Sequence, residues 1–272
     1  AAEGRAGEWL IDPYNVTIST GPASGTGYNS TFVPSATTTL LASDIQSSLN
    51  VGTNVSISTG TTGDGGADDS GSITVSAPIS KTSGGAATLT LRANRRIDIS
   101  AAIGSSGTSS GLSLVLDTGG DTGEVSGVLS GNLSLTKQGV GTTILSGTNT
   151  YTGTTNVTGG ILALTNASAL GGSGAGADTS VSSPASLDLR NIVGVADALD
   201  LHGGTVAVST GTSSLSGVVS LSASDSFGLQ CDVFVHWGDN NIGRFVGGWS
   251  RFWIDYQRYQ PKHCSWLWGG HR

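Results

Sequence analysis

The sequence lacks methionine altogether and contains few charged residues and only two cysteines. Charged residues make up 11% of the 272 residues, whereas an ordinary soluble domain has roughly 25%. The formal net charge is −7, and phosphate backbones are bound by clustered Lys and Arg, so the sequence argues against a nucleic-acid partner. No apolar run reaches the roughly 18 residues that a transmembrane helix requires. No signal peptide is recognisable, and the missing methionine leads us to expect a processed product or a piece of a longer chain.

Aromatic residues are scarce in the first 230 residues. Residues 1–230 contain six of the 16 aromatic residues but 70 of the 72 Ser and Thr, and their net charge is −9. Residues 231–272 contain the other ten aromatic residues and both cysteines, and their net charge is +2. We therefore predict a boundary at about residue 230, followed by an atypical or poorly ordered tail. The tail is either a genuine cap or interaction segment or, as we hypothesise, a stretch read in a shifted frame.

Glycine is plentiful instead, with 43 residues, and it separates short alternating segments. These segments alternate apolar residues with Ser, Thr or Asp, which is typical of half-buried strands. They are residues 15–19, 54–58, 72–76, 87–92, 96–100, 112–116, 132–136, 142–146, 154–158, 161–164, 186–190, 204–209 and 218–222. The only helix candidate is the segment 43–49.

Strands at such short intervals fit either a β-sandwich or a β-solenoid. A sandwich has a thick core that needs large side chains, and the body has few aromatic residues to fill it. A solenoid has a narrow core of stacked aliphatic side chains, and its corners need backbone conformations that glycine adopts freely. The sequence therefore predicts an all-β solenoid of about 11 coils with ~20 residues each, on the order of 50 Å long.

The segment 133–164 keeps one phase of alternation for most of its length. The notable residues occupy odd positions from Leu133 to Val157, and the phase changes by one at Gly159–Gly160, where we expect a bulge or a corner. We expect Tyr151 to pack at a coil corner. The residues to which we assign a structural role are Lys137, Gly139, Gly141, Gly147, Asn149, Tyr151, Gly153, Gly159 and Gly160.

Two sets of segments resemble known secreted bacterial proteins. The segment LSLTKQGVGTTILSGTNTYTGTTNVTGGILAL (133–164) resembles the passenger-associated strand repeat of autotransporters. The segments GEWLIDPYNVTIS (7–19), GSITVSAPIS (71–80) and GGAATLTLRANRRIDISAAI (84–103) resemble large exoproteins of the filamentous haemagglutinin type. The resemblance implies a right-handed parallel β-helix (β-solenoid) that is secreted or held at the outer-membrane surface of a Gram-negative cell, where such proteins usually serve adhesion.

The resemblance also implies partners and a function. The implied partners are an outer-membrane translocator and a host-cell or matrix surface, either protein or glycan. We expect a non-enzymatic adhesin passenger fragment that acts as a stalk and attachment surface, with no cofactor and no metal. One alternative is a transport and folding module of the passenger without its own ligand. The other is a β-helical enzyme that degrades polysaccharides.

Two groups of charged residues in the body could carry chemistry. Carboxylates in a Gly-rich segment could bind calcium, although a solvated turn is the simpler interpretation; these are Asp64, Asp68 and Asp69. Acidic and basic residues could line a polysaccharide-degrading site, although charges on outward strand faces explain them equally; these are Asp98, Asp188, Arg92, Arg95 and Arg96. We expect neither site.

Histidine and cysteine offer the remaining candidates. His202 has no nucleophile paired with it in the sequence and precedes two glycines, so we interpret it as a turn residue. In the tail a zinc site or, from the cysteines alone, a disulfide is conceivable. The residues concerned are Cys231, His236, His263 and Cys264.

Overall fold

The computed structural model describes residues 15–21, 38–59, 71–107, 109–172, 178–221 and 233–235. In these residues the chain forms one helix and 23 strands. They are α1 (Ala42–Asn50), β1 (Val16–Ser19), β2 (Thr38–Leu41), β3 (Val55–Ser58), β4 (Ile73–Val75), β5 (Ile79–Lys81), β6 (Ala87–Ala93), β7 (Ile97–Ile99), β8 (Ile103–Ser105), β9 (Leu112–Thr118), β10 (Thr122–Val125), β11 (Leu129–Gly131), β12 (Leu133–Gln138), β13 (Thr142–Leu145), β14 (Thr150–Tyr151), β15 (Thr155–Val157), β16 (Ile161–Leu164), β17 (Thr179–Ser182), β18 (Ser186–Arg190), β19 (Leu199–His202), β20 (Thr205–Thr210), β21 (Ser213–Leu215), β22 (Val219–Leu221) and β23 (Val233–Val235).

The strands stack into three long faces. Face A has the order β2-β1-β4-β7-β10-β13-β16-β18-β20, face B the order β3-β6-β9-β12-β15-β17-β19-β22, and face C the order β5-β8-β11-β14. One coil runs from face A through face C to face B, as β4, β5 and β6 do. Every strand pair in the described part of the chain is parallel. The predicted parallel β-solenoid is therefore confirmed.

The coils are fewer than the sequence predicts. Thr142 pairs with Ile161, 19 residues further along, whereas Ile99 pairs with Val125, 26 residues further along. Face B contains eight strands in the described residues, so the solenoid has eight coils there and not about 11. Eight layers spaced by about 4.8 Å extend for about 34 Å. The prediction was wrong because several corners are long, such as residues 165–178 between β16 and β17.

Inward side chains stack into columns along the solenoid axis. One column of face B is aliphatic except for Thr155 and Thr179; it consists of Val55, Leu89, Leu114, Leu135, Thr155, Thr179, Leu199 and Val219. Each fully buried aliphatic side chain contributes roughly 1.5–3 kcal/mol to the free energy of unfolding. Tyr151 is the only aromatic residue between positions 38 and 221. The core is thus held together by many small contributions and not by aromatic clusters.

Helix α1 covers the edge of face C at the first coil. Ala42, Ile45 and Leu49 are its buried residues, and they follow the three- and four-residue spacing of one helix face. Gln46 Oε1 accepts a hydrogen bond from Ser80 N (3.2 Å), and Asn50 Oδ1 accepts one from Thr82 N (2.7 Å). Side-chain amides therefore satisfy main-chain groups of β5 that an exposed edge would leave open. The helix has nine residues, and no helix in the described residues is long and apolar enough to cross a membrane.

The last described coil continues beyond face B. Strand β21 pairs in parallel with β23, so residues Val233–Val235 extend the stacking past residue 230. The rest of the tail lies outside the described residues, and so do the candidate residues Cys231, His236, His263 and Cys264. The boundary at about residue 230 and the shifted frame stay predictions.

Candidate functional site

The segment 133–164 contributes β12 to β16, which make one and a half coils. Leu133, Leu135, Thr143 and Leu145 are all buried, and so are the other odd-numbered residues up to Val157, except for Gly139 and Gly153, which are half-buried. After Gly159–Gly160 the buried phase moves to even positions, although Ala163 is buried as well. The side chains singled out in this segment therefore lie inside the solenoid, which makes the segment an interior network and not a surface cleft.

Lys137 is the most unusual of these side chains, because it is fully buried at the end of β12. Its ammonium donates hydrogen bonds to the carbonyl oxygens of Gln138 (2.8 Å), Gly139 (3.1 Å) and Gly159 (3.1 Å). Burial lowers the pKa of Lys137 to about 8, and the negative charge of Asp117 opposes this shift. Because Gly159 belongs to the following coil, Lys137 joins two successive coils at the corner between faces B and A.

Asn149 joins three coils from the inside. Its Oδ1 accepts a hydrogen bond from Leu129 N (2.8 Å) in the preceding coil. Its Nδ2 donates to Ala169 O (2.6 Å) in the following coil. The side chain is only 2% exposed, so both bonds form away from water, where an unpaired amide would be costly.

Tyr151 lies at the corner where face C leads into face B, and it is fully buried. Its hydroxyl forms a hydrogen bond of 2.6 Å with Thr155 Oγ1. Burial raises the pKa of Tyr151 well above its ordinary value. A Cβ on Gly171 would stand 3.1 Å from the ring, so the next coil packs its backbone directly on the tyrosine.

The glycines of the segment lie where one coil approaches the next. Gly139 and Gly160 have φ angles of +76° and +61°, which only glycine adopts without strain. A Cβ on Gly141 would lie 1.8 Å from Gly119 O in the preceding coil. The other three make similar approaches: a Cβ would come within 2.8 Å of Gly127 O at Gly147, 2.3 Å of Ser134 Oγ at Gly153, and 3.1 Å of Gly139 N at Gly159.

The charged residues considered for a polysaccharide-degrading site are engaged in ion pairs. Between nitrogen and carboxylate oxygen, the distances are 2.8 Å for Arg92–Asp117, 2.6 Å for Arg95–Asp121 and 2.9 Å for Arg96–Asp98. All three pairs are part-exposed, where such pairs contribute little to stability.

Asp188 is more enclosed than its outward register position suggests, with 4% exposure. Its Oδ1 accepts from Ser209 N (2.9 Å), and its Oδ2 accepts from Ser209 Oγ (2.7 Å) and Arg190 Nε (2.7 Å). The pairing of β18 with β20 shifts register between Asp188 and Arg190. The interpretation of Asp188 as a solvated surface charge is therefore wrong: it holds the irregular strand pairing in place.

His202 is the last residue of β19 and not a turn residue, so that interpretation is wrong as well. Its Nδ1 lies 3.3 Å from Ser180 Oγ, and its Nε2 lies 3.4 Å from Asp200 Oδ2. These are the residue types of a catalytic triad, which the sequence order did not reveal. Both contacts are long, and the side chains of His202 and Asp200 are half exposed on a flat strand face, where water competes for them. The trio therefore lacks the enclosed geometry that nucleophilic catalysis requires.

Metal ligands are not gathered in the described ranges, in which no three His, Cys, Asp or Glu side chains come together. The predicted acidic turn with Asp64, Asp68 and Asp69 lies in residues 60–70, outside the described part.

A buried polar string was missed by the sequence analysis. Asp197 is 7% exposed, and its carboxylate accepts a hydrogen bond from Thr179 Oγ1. Burial raises the pKa of Asp197 to about 6; the bond from Thr179 opposes this shift, and the charge of Asp178 adds to it. Asp197 precedes β19 at a corner, so no alternation pattern marks it as interior.

These features define the class of the molecule: a parallel β-solenoid whose aliphatic core is joined from coil to coil by buried polar side chains. Within it, residues 135–164 match the passenger-associated-transport-repeat family, so this segment is an autotransporter passenger repeat. The match covers 30 of the 272 residues and confirms the resemblance seen at 133–164. No curated protein and no solved structure matches the chain.

Proposed function

We propose that this chain is a non-enzymatic passenger segment that serves as a secreted or surface-exposed stalk and attachment surface, in the manner of a haemagglutinin-like adhesin. The passenger repeat and the solenoid support the passenger role. The observation that carries the attachment role is a continuous outward column on face B. It consists of Ser56, Thr90, Val115, Thr136, Asn156, Ser180, Asp200 and Ser220, one residue per coil.

This column suits a long partner and not a small molecule. The eight residues are spaced by about 4.8 Å, and all but Val115 and Asp200 carry hydroxyl or amide groups. A flat polar array without a cleft binds through many weak contacts, so a protein or glycan of a host-cell or matrix surface is the proposed partner. An outer-membrane translocator is the proposed partner during export, and the outer-membrane surface of a Gram-negative cell is the proposed location.

A second function, in passenger transport and folding, is favoured by the interior network of the repeat. Lys137 and Asn149 each bond the backbone of a neighbouring coil, and Tyr151 fills the corner below the next one. A segment that ties successive coils together helps a solenoid grow coil by coil, because each repeat is stabilised by its neighbours. This function needs no ligand.

Removal of one coil separates the two functions. Leu135 pairs with Thr155, so deletion of residues 135–154 removes one coil and keeps the register of its neighbours. Leu112 pairs with Leu133, so deletion of residues 112–132 removes a coil outside the matched repeat and is the matched control. Export and attachment per exported molecule are measured separately, in the full-length parent.

The two functions predict different results. A folding module predicts that export falls only on deletion of 135–154. An attachment surface predicts that Thr90→Lys together with Thr136→Lys reduces attachment while export and stability stay unchanged. Unchanged attachment in that double variant would refute the proposed face B surface.

An enzyme that degrades polysaccharides is the least supported alternative. Its candidate arginines and carboxylates are engaged in ion pairs and hydrogen bonds. We expect no release of reducing ends and no new unsaturated products when the protein is incubated with acidic polysaccharides. Release of either product would revive the enzyme.

A further inference from the structure

Asp197 lies where two coils meet inside the solenoid, at the corner that leads into face B. Thr179 of the preceding coil donates to its carboxylate. The following coil lies directly on it, because a Cβ on Gly217 would stand only 1.9 Å from Asp197 O. The carboxyl group is thus held between two coils and is shielded from water.

The groups that face Asp197 offer hydroxyls but no positive charge. Thr179 pairs in register with Thr155, and both are fully buried. Thr155 Oγ1 in turn bonds the hydroxyl of Tyr151. The titratable groups that act on Asp197 are Asp178, just before β17, and Tyr151 on β14. Among the described residues, no ion pair to Lys, Arg or His is found for this carboxyl group.

Such surroundings favour the neutral form of the carboxyl group. A carboxylate in an apolar interior loses hydration, and one hydroxyl donor compensates only part of that loss. The neutral acid needs less compensation. It can itself donate a hydrogen bond to a threonine hydroxyl, which both accepts and donates.

We propose that Asp197 is a proton-operated lock between the last coils of the described solenoid. With the carboxyl group protonated, the coils that contain β17, β19 and β22 stay closely stacked. With the group ionised, the coils around Asp197 separate more readily and open locally. The end of the solenoid is therefore tighter in mildly acidic surroundings than at neutral pH.

The sign of the pH dependence follows from the burial of the group. The pKa of Asp197 in the folded protein is about 6, against an ordinary value of 3.8, so the folded state holds its proton over a range in which the open state has lost it. Stability is therefore highest below pH ~4 as far as this group is concerned, and it falls as the pH rises through 6. Between pH 5 and 7.5 the opening equilibrium of these coils should increase about tenfold.

Hydrogen exchange followed by mass spectrometry tests the lock in the full chain. After correction for the intrinsic pH dependence of exchange, we expect peptides from 179–221 to lose about tenfold protection between pH 5 and 7.5, whereas peptides from 87–138 keep theirs. Asp197→Asn should abolish this dependence. Asp200→Asn, an exposed carboxylate on the same coil, should leave it as in the wild type.

A second variant decides the matter if Asp197→Asn does not fold. Thr179→Val keeps the side-chain shape and removes the donor that favours the ionised form, so the midpoint of the transition should move to higher pH. The lock is refuted by constant protection of 179–221 in the wild type, by an Asp197→Asn protein that keeps the wild-type dependence, or by a Thr179→Val midpoint that does not move.

Discussion

An ammonium group inside a protein needs acceptors for three protons, and Lys137 finds them in three carbonyl oxygens of a coil corner. Lys81 repeats the arrangement at another corner, where its ammonium donates to Leu49 O (2.6 Å) and Ser83 O (2.7 Å). Burial lowers the pKa of Lys81 as well. Corners turn several carbonyl groups inward at once, so a lysine is a fitting residue to satisfy them.

Replacement of Lys137 tests this role. Lys137→Met keeps the length of the side chain but leaves three carbonyl groups without their donor, so we expect a loss on the order of 1–3 kcal/mol in the free energy of unfolding at pH 7. Urea unfolding measures it. Thr136→Ala, at the neighbouring outward position, is the control and should change stability by less than about 0.5 kcal/mol. Equal stability of the two variants would contradict the structural role.

Lys137 also predicts a dependence on alkaline pH. Its pKa is about 8 in the folded protein and 10.5 ordinarily, so between these values the unfolded chain binds more protons than the folded one. The contribution of Lys137 to stability therefore rises from pH 8 to 10, and Lys81 contributes with the same sign. Urea unfolding at pH 7.5, 8.5 and 9.5 should show this rise in the wild type and a smaller one in Lys137→Met. A rise of equal size in both proteins would argue against Lys137 as its source.

Tyr151 should matter for stability and not for attachment. We expect Tyr151→Phe to lower the free energy of unfolding by about 1 kcal/mol through the lost bond to Thr155, and Tyr151→Ala by about 3–5 kcal/mol through the cavity. Chemical unfolding measures both, with the exposed neighbour Thr152→Ala as a neutral control. Attachment per folded molecule should stay unchanged. Selective loss of attachment at unchanged stability would assign Tyr151 a binding role.

At the residue scale, the sequence predicts which side chains point inward better than it predicts what they contact. Strict alternation places Lys137 and Tyr151 in the buried phase. The acceptors of Lys137 are main-chain oxygens, one of them 22 residues away, and nothing in the sequence marks them. Asp197 lies outside any alternating segment, and its donor Thr179 is 18 residues away, so it could not be predicted.

At the scale of single elements, every strand segment predicted from alternation became part of face A or face B. The strands of face C were missed. They have only two or three residues, such as β11 with the sequence LSG and β14 with TY. Two or three residues cannot display a period of two, and glycine gives no apolar signal. The helix candidate at 43–49 became α1, whereas its role as a cover for β5 depends on a coil that follows later in the chain.

Glycines at the corners provide a matched pair for a test of coil stacking. Gly141→Ala would place a Cβ 1.8 Å from Gly119 O, so the two coils must move apart, and we expect a loss of at least about 1–3 kcal/mol in the free energy of unfolding. A Cβ on Gly120 would meet nothing within 4 Å. Gly120→Ala should therefore be neutral or slightly stabilising, since it restricts the unfolded chain. Thermal unfolding of both variants measures the difference, and similar melting temperatures would show that the coils are not closely stacked here.

For the whole molecule, we predict that stability does not depend on a bound metal. The acidic segment at 64–69 does not recur along the sequence, as a repeated calcium-binding motif would. Treatment with a chelator should therefore leave the melting temperature unchanged, and added calcium should not raise it. A drop of several degrees on chelation would show that a metal ion belongs to the folded state.

Coil length also determines how the molecule responds to force. The hydrogen bonds between coils run along the long axis, so tension applied to the two ends of the chain separates the outermost coil first and breaks its bonds one after another. A coil of 19 to 26 residues then adds roughly 65–90 Å of extended chain when it peels away. A stalk built in this way lengthens in steps under load and can rewind when the load falls, so an attached cell would be held by an extensible tether.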